Sequence, residues 1–127
     1  MKSLAGCALV ISLFLVSFKS SNIDDIATAM RSGNVDQLSL YLDYRVDITL
    51  PDKTDTYSKS QAEMIIRDFF SRNGVRNFQI KQRGETAGSL FCIGTLQTQN
   101  GDYRTSLFMK QKGDKQFLQE LRFQLLQ

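Results

Sequence analysis

The spacing of apolar residues along the 127-residue chain changes twice. Residues Leu4 to Phe18 form an unbroken apolar block, LAGCALVISLFLVSF, with Lys2 before it and Lys19 after it. From Asn22 the period is helical: Ile23, Ile26, Ala27 and Met30 recur at three and four residues behind a capping-box-like Ser21-x-x-Asp24. Gly33 interrupts the run, and Asn34, with Gln37 three residues on, caps a second short helix whose stripe is Val35, Leu38 and Tyr41 or Leu42. One kinked helix fits equally well. Residues 45–50 alternate strictly, which predicts a half-buried strand with Val46, Ile48 and Leu50 inward; Pro51-Asp52 then turns the chain into a short extended return through Thr56 and Tyr57. Ser60-x-x-Glu63 opens a predicted helix over 60–72, with Ala62, Ile65, Ile66, Phe69 and Phe70 on one face and Asn73-Gly74 as a left-handed stop.

After that stop the period falls to two. Four alternating runs, about 76–83, 89–98, 103–111 and 116–125, are separated by Gly84 to Gly88, Asn100-Gly101 and Gly113-Asp114. Helices first and an antiparallel meander last is the order of an α+β domain. With Asn100-Gly101 and Gly113-Asp114 as two-residue turns, Ile93 pairs with Phe108, and Phe108 with Gln119. Phe91, Ile93, Thr95, Phe108, Phe117, Gln119, Leu121, Phe123 and Leu125 then share one face, whose aromatics mark it as the face under the helices. Cys92, Leu96, Tyr103, Thr105, Leu107, Met109, Leu118, Glu120 and Arg122 share the other.

The apolar block is short for a membrane span and suits an export signal, so the expected organisation is a signal peptide over 1–20 and one domain over 21–127. That makes the chain periplasmic or secreted, the alternative being a protein held to the membrane by an uncleaved leader. Leu4-Ala5-Gly6-Cys7 spells a lipobox, but the hydrophobic region follows Cys7 rather than preceding it. Without Lys2 and Lys19, 14 basic residues face 13 acidic ones. The basic residues are interspersed with acids, and no stripe of the kind nucleic acid requires is present.

The sequence has no His and no Trp. That removes Ser-His-Asp and Cys-His nucleophile systems, His-ligated metals and His-based pH switches. Cys92 has no flanking basic pair and reads as a small buried hydrophobe. Asp52 and Asp55 flank Lys53 without the spacing of a calcium loop, so no metal or cofactor is expected.

Taken in order, the Gly-broken helix pair from Ala27 to Leu42, the strand Val46 to Leu50, the helix Ser60 to Arg72 and the terminal Phe117-Leu118-Gln119-Glu120-Leu121-Arg122-Phe123 resemble the cone-shaped nuclear transport factor two-like fold over about residues 23–125. Ser32-Gly33-Asn34, Asp47-Ile48-Thr49-Leu50-Pro51-Asp52, Tyr57-Ser58-Lys59 and Gln119-Glu120-Leu121-Arg122 are more closely similar to a family of small exported bacterial proteins of uncharacterised function within that superfamily. The resemblance implies N-terminal helices packed on a strongly curved antiparallel sheet. It also implies that any site lies between the two, and that subunits pair through a sheet face. Superfamily enzymes often carry His, Asp or Tyr on the inward meander positions, where this chain has Phe117, Gln119, Leu121 and Phe123.

The expected function is therefore a non-enzymatic binding or protein-interaction domain without catalytic residues. Its apolar pocket, for a small apolar ligand, is expected from Phe69, Phe70, Phe91, Phe108, Gln119 and Phe123. The alternative is a small isomerase, dehydratase or hydrolase with Asp47 as base and Tyr57 as electrophile. A homodimer is expected through a strip of Leu96, Tyr103, Leu107, Met109 and Leu118, with Glu120 meeting Arg122 across the two-fold axis at its rim.

Overall fold

A computed structural model describes residues 22–126. The leader expected over 1–20 and Ser21 of the first cap lie outside the described residues. The elements are α1 (Asn22–Ser32), α2 (Val35–Ser39), β1 (Leu42–Leu50), β2 (Lys53–Ser58), α3 (Lys59–Asn73), β3 (Val75–Thr86), β4 (Ser89–Thr98), β5 (Gly101–Lys112) and β6 (Lys115–Leu125). This is the expected order of helices and strands. The six strands make one sheet in the order β2-β1-β6-β5-β4-β3, antiparallel except where β1 runs parallel beside β6.

Local chemistry explains most boundaries. Gly33 (φ +67°) ends α1, and Asn34 caps α2 by accepting from the Gln37 N–H at 3.1 Å. The cap of α3 lies two residues earlier than the sequence suggests. Ser58 accepts from the Gln61 N–H at 3.3 Å, and the Gln61 side chain accepts from the Ser58 N–H at 3.2 Å, so the box is Ser58-x-x-Gln61 and not Ser60-x-x-Glu63. Gly74 (φ +70°) stops the helix as expected, its N–H bonding to Phe70 O at 2.9 Å.

The faces of the meander are inverted relative to expectation. Cys92, Leu96, Tyr103, Leu107, Met109 and Leu118 are buried with Leu121 and Phe123 beneath the helices, whereas Phe91, Ile93, Phe108 and Phe117 stand on the outer side. Curvature is one reason. On the concave side the backbone crowds whatever points inward, and β4 accordingly turns Cys92, Gly94, Leu96 and Thr98 to the core. A Cβ at Gly94 would sit 2.5 Å from Gln79 O and 2.6 Å from Phe78 Cζ. The other reason is a β-bulge in β6. Met109 faces Leu118 but Phe108 faces Glu120, so Gln119 is the extra residue; beyond it the alternation changes phase, which turns Leu121 and Phe123 inward. Nothing in the pattern of residues 116–125 announces that shift.

The hairpin turns differ in detail. Thr98 pairs with Gly101, making Gln99-Asn100 the turn rather than Asn100-Gly101, because the Thr98 hydroxyl donates to Gly101 O (2.7 Å) and accepts from the Asn100 N–H (3.1 Å). The pairs are therefore Ile93 with Ser106 and Phe91 with Phe108. Gly84 belongs to β3, leaving Ala87-Gly88 as the turn; the Phe91 ring occupies the space where a Gly84 side chain would stand.

The core fills the cone. Phe123 lies 4.5 Å, centroid to centroid, from Phe69 and 6.1 Å from Phe70, and Tyr103 meets Phe69 edge-on at 5.0 Å. Each such ring contributes about 1.5–3 kcal/mol through its burial.

Candidate functional site

With the cone filled, one open cleft lies at its end, where α3 stops against the β4–β5 turn. Gln99 N–H bonds to Asn73 O (3.0 Å) and Gly74 O (2.9 Å), and Asn100 Nδ2 donates to Arg72 O (3.0 Å) and Asn73 Oδ1 (3.3 Å). These bonds satisfy carbonyls that a helix end leaves open. Asn73, 8% exposed, is held on every side: Nδ2 donates to Phe69 O at 2.8 Å, and Oδ1 also accepts from the Tyr103 hydroxyl at 2.9 Å. The β1–β2 turn, Leu50-Pro51-Asp52, forms the opposite wall.

Together these parts enclose a cleft of about 490 Å³ lined by Leu50, Pro51, Asp52, Phe69, Arg72, Asn73, Asn100 and Tyr103. Leu50, Pro51 and Phe69 make it apolar on one side; the guanidinium, amides, hydroxyl and Asp52 carboxylate make it polar on the other. Of these residues only Phe69 is expected at a ligand site from the sequence, where Asn73 and Asn100 read as turn residues and Tyr103 as an interface residue. An Asn at each of two turns is the one trace the sequence carries.

The residues expected to line an interior pocket separate. Phe69, Phe70 and Phe123 pack together in the core, while Phe91 and Phe108 are 6.5 Å apart on the outer face. Gln119, at the bulge, donates to Asp43 Oδ2 at 2.9 Å. Asp43 also pairs with Lys112 Nζ (2.7 Å) and accepts from the Tyr44 N–H (2.8 Å). Burial alone would raise the Asp43 pKa; Lys112, Gln119 and the Tyr44 N–H outweigh it and hold the carboxyl below its ordinary 3.8.

The strip expected to form an interface, Leu96, Tyr103, Leu107, Met109 and Leu118, is core and unavailable to a partner, for the reasons of curvature and phase given above. Glu120 and Arg122 do lie on the outer face, but they pair with each other at 2.6 Å. Asp47 and Tyr57 do not meet. Asp47 stands opposite Thr56, accepts its hydroxyl at 2.6 Å and is exposed; Tyr57 stands opposite buried Val46 and turns its ring to the helix side. Tyr41 donates to Asp25 Oδ2 at 3.3 Å in a separate groove between α1 and α2, and Tyr44 is 81% exposed. Burial pushes the Cys92 thiol up to about 11. No group of three or more His, Cys, Asp or Glu suited to a metal occurs among the described residues.

The profile of a domain of unknown function, DUF4783, matches residues 23–124. The chain belongs to the DUF4783 family. Solved DUF4783 proteins have the same architecture. One from Bacteroides uniformis is 29% identical with a TM-score of 0.79, over 82% of this chain and 96% of that one. Another, from Bacteroides ovatus, is 27% identical with a TM-score of 0.79, over 81% and 94%. An NTF2-like protein of unknown function from Cytophaga hutchinsonii shares the fold at 8% identity, with a TM-score of 0.60 over 82% and 86%. The fold of this DUF4783 domain is thus NTF2-like, as the resemblance implied. None of the curated proteins matches the chain.

Proposed function

We propose that this DUF4783 domain is an exported binding module, that its ligand seat is the cleft at the end of the cone, and that it works as a homodimer. The observation that carries the seat is the Asn73 clamp. A buried amide with both ends bonded forms a wall that loses little entropy when a ligand arrives, and it borders apolar surface on Phe69 and Leu50. The separation of Asp47 from Tyr57 favours binding over the isomerase-type chemistry that pair would serve.

Pairing belongs on the outer sheet face. Phe91, Ile93, Phe108 and Phe117 form its apolar centre, Phe108 being 38% exposed, and the Glu120–Arg122 pair sits beside them. A two-fold axis there covers the rings and leaves the cleft open.

Titration of the labelled protein with small amphipathic acids, amines and zwitterions tests the seat, read from the side-chain amides of Asn73 and Asn100. Shifts that concentrate on these amides support it. Shifts confined to other surfaces overturn it.

A further inference from the structure

We infer that the cleft selects a zwitterion of the amino-acid class, with Arg72 taking the carboxylate, Asp52 and Asn100 the ammonium, and Leu50 with Phe69 an apolar side chain. This rests on the reading of the cleft as a ligand seat. Arg72 spends its Nε on Asp68 Oδ2 at 2.9 Å, which leaves the two terminal nitrogens of the guanidinium as an end-on fork, the geometry a carboxylate accepts bidentately. Asn100 donates through Nδ2 to Arg72 O and Asn73 Oδ1, which leaves its Oδ1 as an acceptor. Asp52 makes no side-chain hydrogen bond or ion pair among the described residues. Asp52 and Arg72 line one cleft yet are not joined to each other, so charges of opposite sign face a common gap that a molecule carrying both can bridge.

Four other cavities among the described residues lack the same set; the one beside Gly33 and Phe70 holds Arg67 but no acid in its lining. The groove between α1 and α2 holds Asp25 but no cation among its lining residues. The outer groove beside Lys81 and Arg104 holds cations but no acid. The hollow lined by Ile23, Arg83 and Glu85 has both signs, but Arg83 reaches Asp24 through a terminal nitrogen at 2.9 Å, which breaks the end-on fork.

The test compares L-leucine, N-acetyl-leucine, leucinamide and N-acetyl-leucinamide on the purified protein at neutral pH, by calorimetry and by shifts of the Asn73 and Asn100 side-chain amides. Leucine is expected to move these amides, and each singly blocked analogue to bind about tenfold more weakly, the worth of one charge-assisted contact. Arg72→Gln should abolish the preference for a free carboxylate, and Asp52→Asn the preference for a free amine. Both side chains are exposed, so the variants keep the fold. If N-acetyl-leucinamide binds at these amides as tightly as leucine, the zwitterion assignment is wrong and the seat stands. If none of the four moves them while other amphipathic molecules do, the assignment is equally wrong. If nothing moves them, the seat itself falls and the assignment with it.

Discussion

The Tyr103 hydroxyl donates to Asn73 Oδ1 at 2.9 Å, fastening the end of α3 to the start of β5. The two partners are not equivalent. Tyr103→Phe leaves Asn73 Oδ1 bonded to Asn100 and should cost about 1 kcal/mol, whereas Asn73→Ala strands the buried hydroxyl and removes the side-chain bond to Phe69 O, for about 2–3 kcal/mol. Urea denaturation of the two variants beside the parent measures the difference.

The position of the α3 cap is open to a direct comparison. Ser58→Ala should lower stability by about 1 kcal/mol, and Ser60→Ala should change it by only a few tenths. Thermal melts that rank the two the other way would return the cap to Ser60.

Acid should loosen the Asp43 clasp. Its folded-state pKa lies below the ordinary 3.8, so the contribution of the ionised carboxylate is present above about 3.8 and is lost as pH falls through the lower folded-state value. Asp43→Asn should therefore flatten the fall in stability below pH 4 and lower stability at pH 7, which denaturant midpoints across that range will show.

Cys92 should be inert in the folded protein. Its thiol is buried and titrates near 11, so at pH 8 a thiol reagent should reach Cys92 only after denaturant is added. Prompt labelling at Cys92 itself, located by peptide mass, without denaturant would contradict its place in the core.

Phe108→Asp puts a charge at the centre of the outer face without entering the core. The variant should sediment as a folded monomer where the parent sediments as a dimer, and Leu107→Asp, one residue along, should unfold the domain instead. A parent protein that is monomeric at high micromolar concentration contradicts the pairing.

These variants trace what was legible in the sequence. Helix and strand order, Asn34, Gly74 and the inward set Val46, Ile48 and Leu50 are local signals, written into spacing and turn residues within a few positions. The face of the meander was not legible, because Gln119 adds a residue that period-two reading cannot see and because the concave side prefers Gly94 and Cys92 to the larger Phe91 and Ile93. The cleft was hidden for a related reason. Arg72 ends a helix, Asn100 and Asp52 sit in two strand turns, and only the packing of α3 against the sheet brings the three together; each alone reads as ordinary helix-end or turn chemistry.

The parallel pairing of β1 with β6 has a consequence for how the chain acquires its structure. Ile48 stands beside Leu121, yet four strands and a helix separate β1 from β6 along the chain. The loop that this contact closes is long, and its entropy must be paid before the contact gives anything back. On the ribosome, β1 and β2 can form only a hairpin, with Val46 and Ile48 lacking their neighbour until β6 has emerged. The earliest strand thus waits for the latest, and synthesis of most of the domain yields no partial sheet that is native across its middle.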